Sequence, residues 1–234
     1  GRANTFRLAL SGQLGPNSDA MVKEALDLCV SCKGCKRECP TGVDMARMKI
    51  EFLAHYRKGH GMTLRDRAVA FLPRYAQLAA TVAPLSNLAM RLFGEFAGFT
   101  AKRPLPAWRR DRFVDRVWSK SGAREVVLLV DTFNRYFEPE NVRAAIRVLQ
   151  AADYRVHVAD PVQGSRPLCC GRSFLSAGLV DEARTEAKRV LDALNPWLAQ
   201  GVPVIGLEPS CLFTLRDEYS VLLPGAEALA KKAF

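Results

Sequence analysis

The chain has 234 residues, about half of them hydrophobic, and its 34 basic residues exceed the 24 acidic ones by ten. That is enough apolar material for one large core or two small ones, and the basic excess suits nucleic acid, an anionic membrane or an acidic protein, a solvated basic surface being the commonest case. No signal-peptide pattern opens the chain, and no apolar run reaches the length of a membrane helix: residues 75–90 are uncharged but carry Pro84 and several polar residues.

Residues 1–28 read as helical. Asn17, Ser18 and Asp19 offer a cap, and Met21, Ala25, Leu26 and Leu28 recur at helical spacing. The opening Gly1-Arg-Ala-Asn carries no initiator methionine, and we read the chain as part of a longer polypeptide.

Four cysteines follow in one run, Cys29-Val-Ser-Cys32-Lys-Gly-Cys35-Lys-Arg-Glu-Cys39-Pro40. The spacing C-x2-C-x2-C-x3-C-P is the bacterial ferredoxin run that wraps a [4Fe–4S] cluster. Three thiolates two residues apart on a tight loop can fold over one small cluster. Gly34 lets the backbone come close, and Pro40 redirects the chain. In two-cluster ferredoxins the fourth cysteine ligates the other cluster, so Cys39 serves either this cluster or a second one. Zinc sites pair two hooks across a longer gap, and a disulfide suits a secreted chain. Both fit the run less well than iron and sulfide do. Free cysteines at this spacing argue for a reducing compartment, hence a cytoplasmic location, with peripheral contact to a membrane as the alternative. Lys33, Lys36 and Arg37 would stabilise a reduced cluster and raise its potential.

After Pro40, Asp44 caps a helix expected to run to about Arg57, with Met45, Met48, Ile50, Phe52 and Leu53 on its apolar face. His55 and His60 lack the surroundings of a second motif and are not taken as ligands. Residues 63–98 read as two helices split around Pro84, covering the cluster in preference to lying on a membrane surface. Residues 101–123 are a Pro-rich, basic linker. Trp108 and Trp118 beside arginines raise nucleic acid as a partner, but no binding motif accompanies them.

From Arg124 the period changes. Residues 126–130 are a continuous apolar run, the mark of a buried parallel strand. A helix from Pro139 to about Ala152, a strand over 154–159, a helix over 179–199, a strand over 203–206 and a helix after Cys211 complete a parallel α/β sheet. Functional loops in such sheets gather at the carboxyl ends of the strands. The first strand ends at Asp131-Thr132, the second leads to Cys169-Cys170, and the third leads to Cys211. The three cysteines are expected at one edge, as a second metal or redox site or as buried small residues.

Leu168-Cys-Cys-Gly-Arg172, Gly178-Leu-Val-Asp-Glu-Ala183 and Glu208-Pro-Ser-Cys211 resemble the cysteine-rich CCG domain. That domain occurs in heterodisulfide reductase B subunits, glycolate oxidase iron–sulfur subunits and anaerobic glycerol-3-phosphate dehydrogenase C subunits. The layout is similar to that of fused FAD-linked oxidases. The resemblance implies a helical [4Fe–4S] ferredoxin-like domain over 1–100, the linker over 101–123, and one incomplete CCG repeat, an α/β domain, over 124–234. It implies an electron-transfer segment of an FAD-linked oxidoreductase acting on a 2-hydroxy acid of the D-lactate, glycolate or D-2-hydroxyglutarate type. Cys29, Cys32, Cys35 and Cys39 would be the metal ligands. FAD would be bound elsewhere, on the same chain or a partner subunit, with a quinone or another redox protein as acceptor. Many CCG repeats carry a cysteine after the first strand. Here that place reads Asp131-Thr132-Phe133, so the second set is at most Cys169, Cys170 and Cys211, and zinc, a shared cluster or a structural role stay open. A disulfide-reductase-type subunit and a zinc-stapled basic binding module are the alternatives.

Overall fold

A computed structural model describes residues 1–114, 122–161 and 166–234. The first half is helical: α1 (Arg2–Leu10), α2 (Ser18–Asp27), α3 (Gly34–Glu38) and α4 (Met45–His60). The Asp44 carboxylate caps α4 by accepting from the Arg47 amide at 3.1 Å. Met45, Phe52 and Leu53 of α4 close a small core with Val22 and Leu26 of α2, and Cys29 and Cys35 pack against it.

Three helices follow where two were expected: α5 (Leu64–Ala70), α6 (Leu72–Thr81) and α7 (Ala83–Phe93). The extra break falls before Pro73. A proline fits best in a helix's first turn, where no amide is needed, and both Pro73 and Pro84 stand there, in α6 and α7. The buried residues Ala76, Ala80 and Ala83 pack with Trp108 and Tyr136. These helices therefore cover the second half of the molecule, not the cysteine run. Trp108 is a core residue, edge-on to Tyr75 and Tyr136, and offers no face to a base. Trp118 lies outside the described residues. The Trp108 backbone exchanges two hydrogen bonds with the Asn87 amide, and the Arg109 and Phe113 amides donate to carbonyls at Tyr136 and Arg135. The described part of the basic segment thus wraps one surface.

The second half begins with β1 (Arg124–Leu129), then α8 (Thr132–Tyr136), α9 (Pro139–Ala151), β2 (Tyr154–Val158), α10 (Arg172–Ser176) and α11 (Val180–Ala199). It ends with β3 (Val204–Gly206), α12 (Pro209–Phe213), a π-helical turn over Thr214–Glu218, α13 (Tyr219–Leu222) and α14 (Glu227–Lys232). The sheet is parallel in the order β2-β1-β3, with Val126 opposite Val156 and Val127 opposite Val204. Alternation along β1 feeds two cores. Val126, Leu128 and Val130 meet Val142 and Ile146 of α9, while Val127 and Leu129 meet Val190 and Leu194 of α11. From Val126 onward β1 is apolar and buried, because both of its faces are covered there.

The halves share a third core, in which Ile50 and Ala70 meet Phe174, Leu175 and Ala183. Gly178 sits at their closest approach. Its φ is +74°, and a Cβ there would lie 2.7 Å from the backbone of Leu53 and Ala54. Only glycine serves both conditions.

Candidate metal and thiol centres

The first cysteine group is built on a turn that bends against the grain of the chain. Ser31 and Lys33 both have left-handed backbones, with φ of 55° and 60°, and Cys32 stands between them. Each such residue costs on the order of 1–3 kcal/mol unless something rewards it. Left-handed residues alternating with ordinary ones turn successive amides inward, forming the anion-binding concavity found around phosphates and iron–sulfur groups. α3 then carries Cys35 in its first turn and delivers Cys39 at its C-cap, where the Cys39 amide donates to the Cys35 carbonyl at 2.9 Å. Cys32 is exposed, and Cys29, Cys35 and Cys39 are half-buried. The Cys39 thiol lies 3.1 Å from the Thr41 hydroxyl. That hydrogen bond, with backbone amides at Val43 and Thr41, lowers its pKa. Lys49 donates to the Cys29 carbonyl at 2.7 Å and fixes the start of the loop. Four sulfur donors at ferredoxin spacing fit a [4Fe–4S] group in donor chemistry. Among the described residues, no three Cys, His, Asp or Glu side chains are gathered tightly enough to share a single metal ion.

Lys33 turns away from the cysteines. Its ammonium lies 2.8 Å from Asp217 and 2.6 Å from Glu218, both in the π-helical turn. Neighbours on an α-helix point about 100° apart, and the wider turn lets both carboxylates converge on one cation. The charge of Lys33 is therefore neutralised locally, which corrects its expected role in raising a cluster potential. Lys36 stands 3.7 Å from Asp44, and Arg37 is exposed. Sequence reasoning missed the clamp because its partners stand 184 and 185 residues away.

The structure brings Cys169, Cys170 and Cys211 together at the carboxyl edge of the sheet. Gly171, with φ +81°, opens α10 just after the cysteine pair. α12 carries Cys211, and the Glu208 side chain caps it. The Cys170 and Cys211 sulfurs are 3.0 Å apart, with Cys170 donating. The Tyr219 hydroxyl donates to the Cys170 carbonyl at 3.0 Å. Asp131, at the position where related repeats carry cysteine, caps α8 through the Phe133 and Asn134 amides. Burial raises its pKa. The Thr132 hydroxyl stands beside Cys169.

All three thiols are buried and held protonated. The hydrogen bond from Cys169 to Cys170, followed by burial, pushes Cys169 well up. Cys170 is helped by Cys169, but the Cys211 thiol and burial outweigh this and raise it too. Cys211 is lowered by Cys170 and raised more by burial and by Asp131. The space beside them, lined by Thr132, Phe133 and Arg172 among others, is about 10 Å³, room for roughly one water. So arranged, these thiols do not fit a multi-iron group.

Comparison with known proteins supports the resemblance read from the motifs. The chain is 24% identical over 221 residues to D-2-hydroxyglutarate dehydrogenase of Escherichia coli, covering 86% of this chain and 21% of that protein. It is 26% identical over 231 residues to the Pseudomonas putida protein of the same name, covering 90% and 22%. It is 26% identical over 175 residues to the C subunit of anaerobic glycerol-3-phosphate dehydrogenase from Escherichia coli, covering 69% and 42%. The chain thus spans about a fifth of the length of the first two relatives and under half of the third. No protein-family model and no solved structure matches it. The likeness to these oxidoreductases extends over most of the chain. Among the described residues no helix is long and apolar enough to cross a membrane.

Proposed function

We propose that the chain is the iron–sulfur electron-transfer segment of an FAD-linked dehydrogenase. The observation that carries the reading is the Cys29–Cys39 run at ferredoxin spacing, set on a loop with left-handed residues at 31 and 33. Cys29, Cys32 and Cys35 would hold one [4Fe–4S] cluster, and Cys39 would serve it or its neighbour. A bound cluster supplies a one-electron carrier. The chain's own residues do the rest. Lys49 fixes the Cys29 carbonyl, Lys33 anchors the loop to the α/β half, and Lys36 and Arg37 leave positive charge near the thiols. FAD and the oxidised substrate, a 2-hydroxy acid of the kind named for the relatives, belong to another domain or subunit. We assign no acid, base or hydride partner to this chain. A cytoplasmic location and an acceptor of quinone or redox-protein type follow from the same reading.

The test is iron, acid-labile sulfide and zinc content of the natural full-length protein prepared without oxygen, with EPR before and after dithionite. Iron and sulfide in equal amounts, about four per cluster, with a signal on reduction, are expected. Zinc without iron would overturn the proposal.

The 3.0 Å contact between Cys170 and Cys211 favours a second reading, disulfide reduction at the buried pair. Each thiol would give up a proton and the pair two electrons, closing a Cys170–Cys211 disulfide while the substrate's S–S bond opens to two thiols. Incubation with a small disulfide should then lower the protein mass by two hydrogens, and Cys211→Ser should abolish the change. An unchanged wild-type mass would dismiss this reading.

A further inference from the structure

Between the first cysteine loop and the C-terminal part of the sheet lies a cleft of about 1160 Å³. Cavities that take small molecules run to about 300–1,000 Å³, so this one is large enough for a metabolite with room beside it. One wall is the loop over 30–38, with Cys32 on it. The other is Arg172 together with the stretch from Glu208 to Asp217.

The charges in the cleft do not cancel. Five cations line it, Lys33, Lys36, Arg37, Arg172 and Arg216, against the carboxylates of Glu38, Glu208 and Asp217. Lys33 is bound to Asp217. Glu208 is engaged by the amide and hydroxyl of Ser210. Lys36 approaches Asp44, and the Arg172 guanidinium donates to the Ser31 carbonyl at 3.4 Å. Arg37, Arg216 and the Glu38 carboxylate remain, and no carboxylate lies within 4.0 Å of either arginine among the described residues. The two arginines line the same cleft from opposite walls. Two unpaired guanidiniums facing one concavity focus potential on it and match the planar fork of a carboxylate, sulfonate or phosphate. The cleft also has apolar surface open to solvent. Val30 is 81% exposed and Phe213 55%, and Pro209 lies beside them.

We infer that this cleft binds a small organic anion, its acidic group held by Arg37 and Arg216 and its apolar body against Val30, Pro209 and Phe213. Bound there, the molecule lies against Cys32, the exposed member of the cysteine run. On the electron-transfer reading, on which this last point rests, that is where a redox partner molecule would meet the segment. The binding site itself stands on charge and shape alone.

The experiment is equilibrium dialysis of the natural full-length protein, prepared without oxygen, with two fluorescent probes. Naphthalene-2-sulfonate is an apolar ring with one fixed charge, and 2-naphthol is the same ring without it at neutral pH. The sulfonate should bind at least tenfold more tightly. The double variant R37Q/R216Q should lose at least tenfold in sulfonate affinity and less than twofold for naphthol. Phe213→Ala should weaken both alike. Neither arginine carries an ion pair among the described residues, so the double variant should unfold at the wild-type midpoint. Equal affinity for the two probes, an unaffected double variant, or no sulfonate binding because a protein segment fills the cleft would each overturn the inference. Iron content is read on the same sample. Sulfonate binding without iron leaves the cleft assigned and sinks the electron-transfer proposal; iron without sulfonate binding does the reverse.

Discussion

The two cysteine groups use one side chain in opposite environments. The Cys29–Cys39 run sits on a loop half in solvent, with cations around it. Cys169, Cys170 and Cys211 are closed in at the sheet edge with space for about one water, each raised in pKa. They stay neutral because a thiolate there would lack solvation. Sequence spacing tells the groups apart only in part. The environment separates a half-exposed set from a closed one.

The widest separation between them should be in iron. Cys35→Ser removes a donor from the open loop, and the full-length protein should lose about one cluster's worth of iron, roughly four atoms. Cys170→Ser should leave the iron content as in wild type. Equal losses from both variants would mean that the buried thiols also hold iron, and the contrast would collapse.

A smaller effect tests how the open loop is tied to the closed half. Lys33 and Glu218 are nearly buried, with side-chain exposures of 12% and 5%. Lys33→Met leaves Glu218 without its cation, and breaking a buried pair from one side costs about 3–5 kcal/mol. The double variant K33M/E218Q, which removes both charges, should recover more than half of that loss in urea unfolding. If K33M alone costs less than about 1 kcal/mol, the range of an exposed pair, the clamp does not anchor the loop.

Local signals reached much of this architecture. The cysteine run, the Asp44 cap, the apolar run of β1 and the three strands could be read because each depends on neighbours in sequence. So could the meeting of Cys170 with Cys211, since parallel strands bring their carboxyl ends to one edge. Short helices were less visible. α3, α8 and α10 have five residues each, too few for a hydrophobic period to show. The break at Pro73 was missed because the flanking Phe71, Leu72 and Tyr75 continue an apolar pattern across it. Lys33 looked like a tuning charge because its neighbours are cysteines, while its carboxylates lie near the far end of the chain. Burial was the other hidden quantity. Trp108, surrounded by arginines in sequence, is packed on aromatic rings in space.

The subtlest consequence of the contrast is a pH dependence of stability. Unfolded thiols ionise near pH 8.5. In the folded state Cys169, Cys170 and Cys211 have raised pKa values and remain protonated there. A raised folded pKa gives stability that is complete below the unfolded value and is lost as pH climbs toward the folded one. Between pH 8.5 and 10 the unfolded chain therefore gains from ionisation that the folded chain cannot match. Each such thiol lowers the unfolding free energy by about 1.4 kcal/mol per pH unit. Replacing Cys170 and Cys211 together by alanine should flatten that slope, while lowering stability at pH 7 through lost packing. Cys39→Ala on the open loop, where the Thr41 hydrogen bond lowers the thiol's pKa, should leave the slope in place. If the open-loop variant flattens it as much, the buried and open thiols do not differ as their surroundings require.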